Sequence, residues 1–345
     1  MSKIIKSYKG FNTDMTCRGK QYEEGKQYEE QSAEACECGM HACEYPLDCF
    51  GYYPPGSSVY HEVEQSGKIS KNGDDTKVAS SKMKIGARLD IRGIVSAAIE
   101  YTKSRTTTEY TDPEMATAGE SGAATAGYSG AATAGNYGAA TAGNYGAATS
   151  GNHGAATAGN YGAATAGYSG AATAGNYGAA TAGYSGAATA GESGAATSGN
   201  HGAATAGNYG AATAGYSGAA TAGNHGAATA GDHGAATAGD HGAATAGDHG
   251  AATAGDHGAA TAGDHGAATS RGKSASGKNG LSVARGNGVK VKGGLGAILV
   301  IAVENSIDFD IKEWKAVVVD GEKVKADTWY KLENGELVEV NHDND

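Results

Sequence analysis

The chain has 345 residues and a formal net charge of −11, with 58 glycines but only 4 prolines. That composition excludes collagen and a Pro-rich disordered linker, and a negative balance with no basic stripe argues against nucleic acid as a partner. No stretch approaches the roughly 20 apolar residues of a membrane-spanning helix, and Met1–Ser7 lacks the apolar run of a secretory signal, so a cytoplasmic protein with no membrane span is expected.

Residues 1–113 read as an α+β domain. Val59-Tyr60-His61-Glu62-Val63 and Met83-Lys84-Ile85 have the composition of strands. Asp90 is placed to cap a helix whose apolar face holds Ile91, Ile94, Val95, Ala98 and Ile99, and Asp112-Pro113 is expected to close the domain. All five cysteines fall in the first 50 residues and are odd in number, which suits reduced thiols better than a disulfide framework. Cys36, Cys38, His41 and Cys43 put four metal-type donors within eight residues, so a zinc ion here is one expectation. The Cys-x-Cys spacing and the absence of a second knuckle favour the plainer alternative, idle or buried thiols beside a hydrogen-bonded histidine, and no other cofactor is expected.

Two resemblances attach to this domain. Gly10-Phe11-Asn12, Thr16-Cys17-Arg18-Gly19, Gly39-Met40-His41-Ala42-Cys43, Pro46-Leu47-Asp48 and Lys77-Val78-Ala79-Ser80-Ser81 are similar to a domain of unknown function that begins many bacterial and phage-encoded repeat proteins. That resemblance implies a phage or prophage context, hence a virion-associated location as an alternative, and no activity. The Gly-Met-His segment, the Pro-Leu-Asp helix start and Tyr52-Tyr53 also resemble the layout of ADP-ribosyltransferase-like domains. The glutamate such an enzyme needs has no identifiable context, so no catalytic residue is assigned.

Residues 114–270 repeat the octad Gly-Ala-Ala-Thr-Ala-Gly-x-x. Its threonine recurs without a slip at Thr117, Thr125, Thr133, Thr141, Thr149, Thr157, Thr165, Thr173, Thr181, Thr189, Thr197, Thr205, Thr213, Thr221, Thr229, Thr237, Thr245, Thr253, Thr261 and Thr269. The only substitutions at fixed positions are serines for alanine at Ser150, Ser198 and Ser270. Such frequent glycine defeats a helix, whereas four or five extended residues followed by a turn fit the period. One octad cannot close a coil, so the expected fold is mainly β, a central β-solenoid with two octads, about 16 residues, per coil. Alternation along the strand is expected to turn Thr125 and Ala123 outward and Gly122, Ala124 and Ala126 inward; a threonine ladder inside is the alternative. The interior would then be filled by methyl groups, leaving stability to lean on continuous hydrogen-bond ladders.

The variable pairs change along the block, ending in five Asp-His pairs: Asp232-His233, Asp240-His241, Asp248-His249, Asp256-His257 and Asp264-His265. They should line both edges, as solvated turns or, alternatively, as a divalent-metal surface. Between Ala116 and Ser270 there are seven acidic residues, eight histidines and no Lys or Arg. Protonating every histidine would take the block from −7 to +1 (−7 plus 8), so these edges are expected to be pH-sensitive. Nine tyrosines occur in octads of both parities, which does not support a single tyrosine seam.

The octad Ala126–Thr133 resembles the bacterial ice-nucleation octapeptide Ala-Gly-Tyr-Gly-Ser-Thr-Gln-Thr, which implies water ordering on Thr-x-Thr rows. It departs where the first of those threonines is alanine, as in Ala131-Ala132-Thr133, halving the hydroxyl array.

Residues 271–306 continue the period after a two-residue shift at Gly272, Gly280, Gly288 and Gly296, with cores Lys273-Ser274-Ala275, Leu281-Ser282-Val283, Val289-Lys290-Val291 and Ala297-Ile298-Leu299. Leucine, valine and isoleucine are expected to enter the interior there, as a cap requires. Residues 307–345 are expected to form a C-terminal β cap, with a tight turn at Asp320-Gly321 after Ala316–Val319 and another at Asn334-Gly335. The segment Val319–Tyr330 is similar to the usual tail of the same phage-encoded group. The whole is read as a non-enzymatic structural or binding repeat protein, a spacer or adhesive rod whose partner is another protein or a surface, with self-association open; ice binding is the rival reading.

Overall fold

The computed structural model describes residues 4–71, 76–105, 108–112 and 114–340; Pro113, part of the expected domain end at Asp112-Pro113, lies outside them. Two compact units divide the chain. One runs to Ala174 and takes in Ala180–Ala188 and His201–Ala203; the other holds Gly175–Ala179, Thr189–Asn200 and the chain from Ala204.

The first unit opens with β1 (Ile5–Asn12), the short pair β2 (Thr16–Cys17) and β3 (Lys20–Gln21), β4 (Gln27–Glu29) and β5 (Met40–Cys43). The one-turn helix α1 (Cys49–Tyr52), the long strands β6 (Ser58–Lys71) and β7 (Lys77–Leu89), and helix α2 (Ile91–Arg105) come next. The sheet closes on itself: β1 pairs with β5 and β6, and β7 pairs with β6 on one edge and with β5 and β4 on the other. Alternate residues of β1, β6 and β7 converge on a core of Phe11, Val63, Met83 and Ile85, all 1% exposed or less. Asp90 caps α2 as its position in the sequence suggests, its Oδ1 accepting the Gly93 N–H at 2.7 Å. Ile94, Val95 and Ala98 on that helix are buried, while Ile91 and Ile99 are partly so.

Residues 115–303 form a parallel β-solenoid of about 12 coils. In the first unit Ala139–Ala142 pairs with Ala155–Ala158 and Ala131–Ala134 with Ala147–Ser150, each residue meeting the one 16 positions on. The second unit repeats this register, Ala219 opposite Ala235 and Ala227 opposite Ala243. Thr108–Asp112 already pairs in parallel with Gly122–Ala126, so the solenoid pattern begins before the expected boundary at residue 114. The interior is as small as composition demands, with Ala124 1% and Ala126 4% exposed, and the threonines lie on the outer faces.

Close approach, more than backbone freedom, fixes the glycines. A Cβ on Gly138 would stand 2.7 Å from Ala134 Cβ and 2.9 Å from the Gly122 carbonyl oxygen of the coil below; one on Gly143 would stand 2.9 Å from the Gly127 backbone. The left-handed turn residue is instead Tyr, His or Ser, as at Tyr137 (φ 57°) and His233 (φ 57°), a conformation that costs about 1–2 kcal/mol for a residue with a side chain.

The two-residue shift after Ser270 shortens one coil. Ala267 pairs with Leu281, a step of 14, before the step lengthens to 17 where Leu281 meets Ile298. Here the structure corrects the expected facing, because Leu281 and Ile298 point outward, 37% and 46% exposed. The inward positions are first serines, Ser274 and Ser282, bonded to the Val283 and Lys292 carbonyls at 2.6 Å. Only then do Val289, Val291, Leu299 and Ile301 form an apolar core, sealed by Tyr330 and Leu332. Ile298–Glu304 folds back antiparallel onto Ile311–Val318. Asp320-Gly321 is therefore not a hairpin turn: Asp320 Oδ1 accepts the N–H groups of Glu322, Lys323 and Val324, each at 2.9 Å, and closes a loop. Asn334-Gly335, with φ of 50° and 78°, does turn a two-residue hairpin between Tyr330–Glu333 and Glu336–Glu339.

Glu304, its side chain 1% exposed, takes two hydrogen bonds from Arg271 (3.1 and 2.6 Å) and one from Arg285. Those guanidinium bonds hold its carboxyl below the ordinary carboxylate range. A depressed folded value adds stability that is present above the unfolded value and lost as pH falls through the folded one. Glu304→Gln should destabilise the cap by about 3 kcal/mol at neutral pH, and it should flatten the acid limb of a stability-versus-pH curve measured by urea denaturation. Ser150 and Ser198 place hydroxyls in the methyl-lined interior with no hydrogen-bond partner among the described residues, unlike Ser270, which bonds Ser274 at 2.9 Å. Ser150→Ala and Ser198→Ala should each stabilise by about 1 kcal/mol in the same assay.

Candidate functional site

The coil edges are hydrogen-bonded to one another, not merely solvated. Asn136 Oδ1 accepts the backbone N–H of Asn152 at 2.9 Å, and Asn144 that of Asn160 at 2.8 Å. The aspartates do the same: Asp232 serves Asp248 at 3.0 Å, Asp240 serves Asp256 at 2.9 Å, Asp248 serves Asp264 at 2.7 Å, and Asp264 serves Lys278 at 2.7 Å. This shared Oδ1 is why Asn and Asp interchange at the position, a signal legible in the sequence but not read there. The following ring stacks on its counterpart one coil on, as in Tyr145–Tyr161 at 4.9 Å, His225–His241 at 4.9 Å, His241–His257 at 5.0 Å, His233–His249 at 5.0 Å and His249–His265 at 5.0 Å. Four of the five Asp-His pairs thus have a carboxylate oxygen bonded to backbone, Asp256 meeting the Arg271 guanidinium instead, and all five imidazoles pack face to face with a neighbour.

The two outer faces differ. Thr117, Thr133, Thr149, Thr165, Thr181, Thr197, Thr213, Thr229, Thr245 and Thr261 are all exposed in one column, flanked by an outward alanine at every position but Thr117, where Met115 takes its place. In the other column Thr125, Thr141, Thr157, Thr173 and Thr189 are half-buried, Thr205 is buried, and Thr221, Thr237, Thr253 and Thr269 are exposed. Within the first unit this second face receives the N-terminal domain. Tyr45, Leu47, Phe50, Ile94 and Ala98 share a core with the outward methyls of Ala171, Ala187 and Ala203. At the adjoining edge Asp48 Oδ1 lies 3.3 Å from His153 Nδ1, Tyr45 packs edge-on to the His153 ring at 5.3 Å, and Ser169 and Ser185 are 1% exposed. Serine rather than tyrosine at 169 and 185 therefore leaves room for the domain; a Cβ on Gly51 would stand 3.7 Å from Ser185 Oγ. Nothing in the structure explains serine at 129 and 193.

Inside the N-terminal domain lies a cavity of about 550 Å³ whose walls include all five cysteines. Strand β5 supplies His41 and Cys43, β1 supplies Lys9, and the β2–β3 hairpin brings Cys17, Arg18 and Lys20 to the rim. Arg18 and Cys36 hold left-handed φ of 49° and 70° there, strain of the kind that gathers at binding sites. Lys9 Nζ donates to the His41 carbonyl at 2.8 Å, Lys20 Nζ pairs with Glu30 at 3.0 Å, Lys77 Nζ donates to Tyr52 at 3.3 Å, and the Tyr53 hydroxyl donates to Cys17 Sγ at 2.9 Å. Burial, followed by the nearby Lys9, Lys77 and Arg18 charges, lowers the His41 pKa. Burial pushes the Tyr22 and Tyr53 hydroxyls up.

The four expected zinc donors, Cys36, Cys38, His41 and Cys43, all line this cavity. His41 Nε2 accepts the Cys36 N–H at 3.1 Å, Cys38 Sγ lies 3.3 Å from Ser32 Oγ, Cys36 is exposed and Cys43 is buried. Among the described residues no group of three or more His, Cys, Asp or Glu is placed to hold a metal ion. The cationic lining, Lys9, Arg18, Lys20 and Lys77, went unread because those residues are scattered over nearly seventy positions of sequence.

A family model described as a domain of unknown function (DUF7666) matches residues 5–97, which span β1 through the first half of α2. No curated protein and no solved structure matches the chain.

Ala187→Arg, which drives a charged side chain into the shared core, should release α2. Its amide protection measured by hydrogen exchange should fall at least about tenfold, while protection in the second unit's strands should be unchanged.

Proposed function

We propose that the protein is a non-enzymatic structural repeat protein, a spacer or adhesive element in a phage or bacterial setting that carries its N-terminal domain on one face. The 16-residue register carries this reading, because each coil bonds only to its neighbours and length can change by whole coils without altering any contact type. The matched domain of unknown function, docked through Ala171, Ala187 and Ala203, supports a display role. Water ordering on threonines draws support from the fully exposed column at Thr133, Thr149 and Thr165, with one hydroxyl per strand instead of two.

Deleting residues 227–258, two coils, should leave melting cooperative and shorten the particle in X-ray scattering by about 10 Å. Deleting residues 227–234 alone should lower the melting temperature, because every later octad then changes face. Thermal hysteresis in the intact protein would replace the spacer reading with ice binding, and equal tolerance of both deletions would overturn the register argument.

A further inference from the structure

We propose that the cavity of the N-terminal domain binds a small organic polyanion, of the size and charge of a phosphate ester or a tricarboxylate. Lys9, Arg18, Lys20 and Lys77 face it against two carboxylates, Glu30 and Glu37. Four minus two leaves a surplus of +2, in a chain whose total is −11.

Lys9 carries the argument. It is only 6% exposed, and its ammonium meets the neutral His41 carbonyl at 2.8 Å and the Phe11 ring at 5.3 Å. Among the described residues no carboxylate forms an ion pair with it. A carbonyl and a ring face do not replace the hydration of a buried ammonium, and the missing compensation is negative charge. The cavity beside it is where that charge can enter.

The other groups shape the site. Glu30 already offsets Lys20. Arg18, at the tip of the β2–β3 hairpin and exposed, presents a planar fork suited to two oxygens of one phosphate or carboxylate. His41 lines the cavity, its Nε2 accepting the Cys36 N–H at 3.1 Å. At about 550 Å³ the space exceeds what an inorganic ion needs and falls in the range of small-molecule sites.

The full chain should be titrated calorimetrically with adenosine 5′-monophosphate, citrate and, as neutral control, adenosine. Binding of the phosphate ester alone, of citrate alone, or of both supports the proposal and identifies the anion type. Lys9→Met should raise the unliganded melting temperature and weaken anion binding at least about tenfold. Arg18→Ala, at an exposed position, should weaken binding by about tenfold with the melting temperature unchanged. Failure of both anions to bind, or equal affinity in both variants and the parent, would overturn it.

Discussion

Everything in the octad block depends on one constraint: the backbone of each coil must hydrogen-bond to the backbone 16 residues on, in register, around an interior of alanine methyl groups. The alanines at inward positions fill that interior with little apolar area per coil, so the ladders dominate over burial. The glycines at the corners result from the same spacing. At Gly138 and Gly143 the neighbouring coil's carbonyls stand where a Cβ would be.

The turn residues solve a second problem. A left-handed Tyr or His is unfavourable in isolation, yet its N–H reaches the next coil, as Tyr137 does to the Asn152 carbonyl at 2.8 Å, and its ring lies flat on the ring above. Asn or Asp just before it adds a side-chain bond to the same neighbour. Where Tyr-Ser replaces Asn-Tyr, at Tyr168-Ser169 and Tyr184-Ser185, the side-chain bond is given up and the domain's close approach takes its place. Repetition along the chain and asymmetry across the coil are thus compatible.

The cap shows how such a thin interior ends. Polar atoms enter first, in the bonded serines at 270, 274, 276 and 282, and leucine, valine and isoleucine come after them where the step has lengthened to 17. Glu304 then ties two arginines of different coils to the last parallel strand. Terminal sealing is achieved by volume and charge together.

The sequence by itself determined what period and composition can determine: the octad, two octads to a coil, outward threonine, the Asp90-capped helix, the Asn334-Gly335 hairpin and the two-residue slip after Ser270. Each is local or strictly repetitive, so a few side-chain volumes and turn propensities suffice to read it. Tertiary structure alone decided the rest. Leu281 and Ile298 face outward because Leu281 pairs with the outward Ala267 and Ile298 with Leu281, a slip of two residues leaving the strand alternation unchanged. Asp320 caps a loop because Ile311–Val318 takes its antiparallel partner from the preceding strand, Ile298–Glu304, and not from the segment after Gly321. Lys9, Arg18, Lys20 and Lys77 meet at one cavity because a closed sheet brings distant segments together, and no spacing along the chain records that closure.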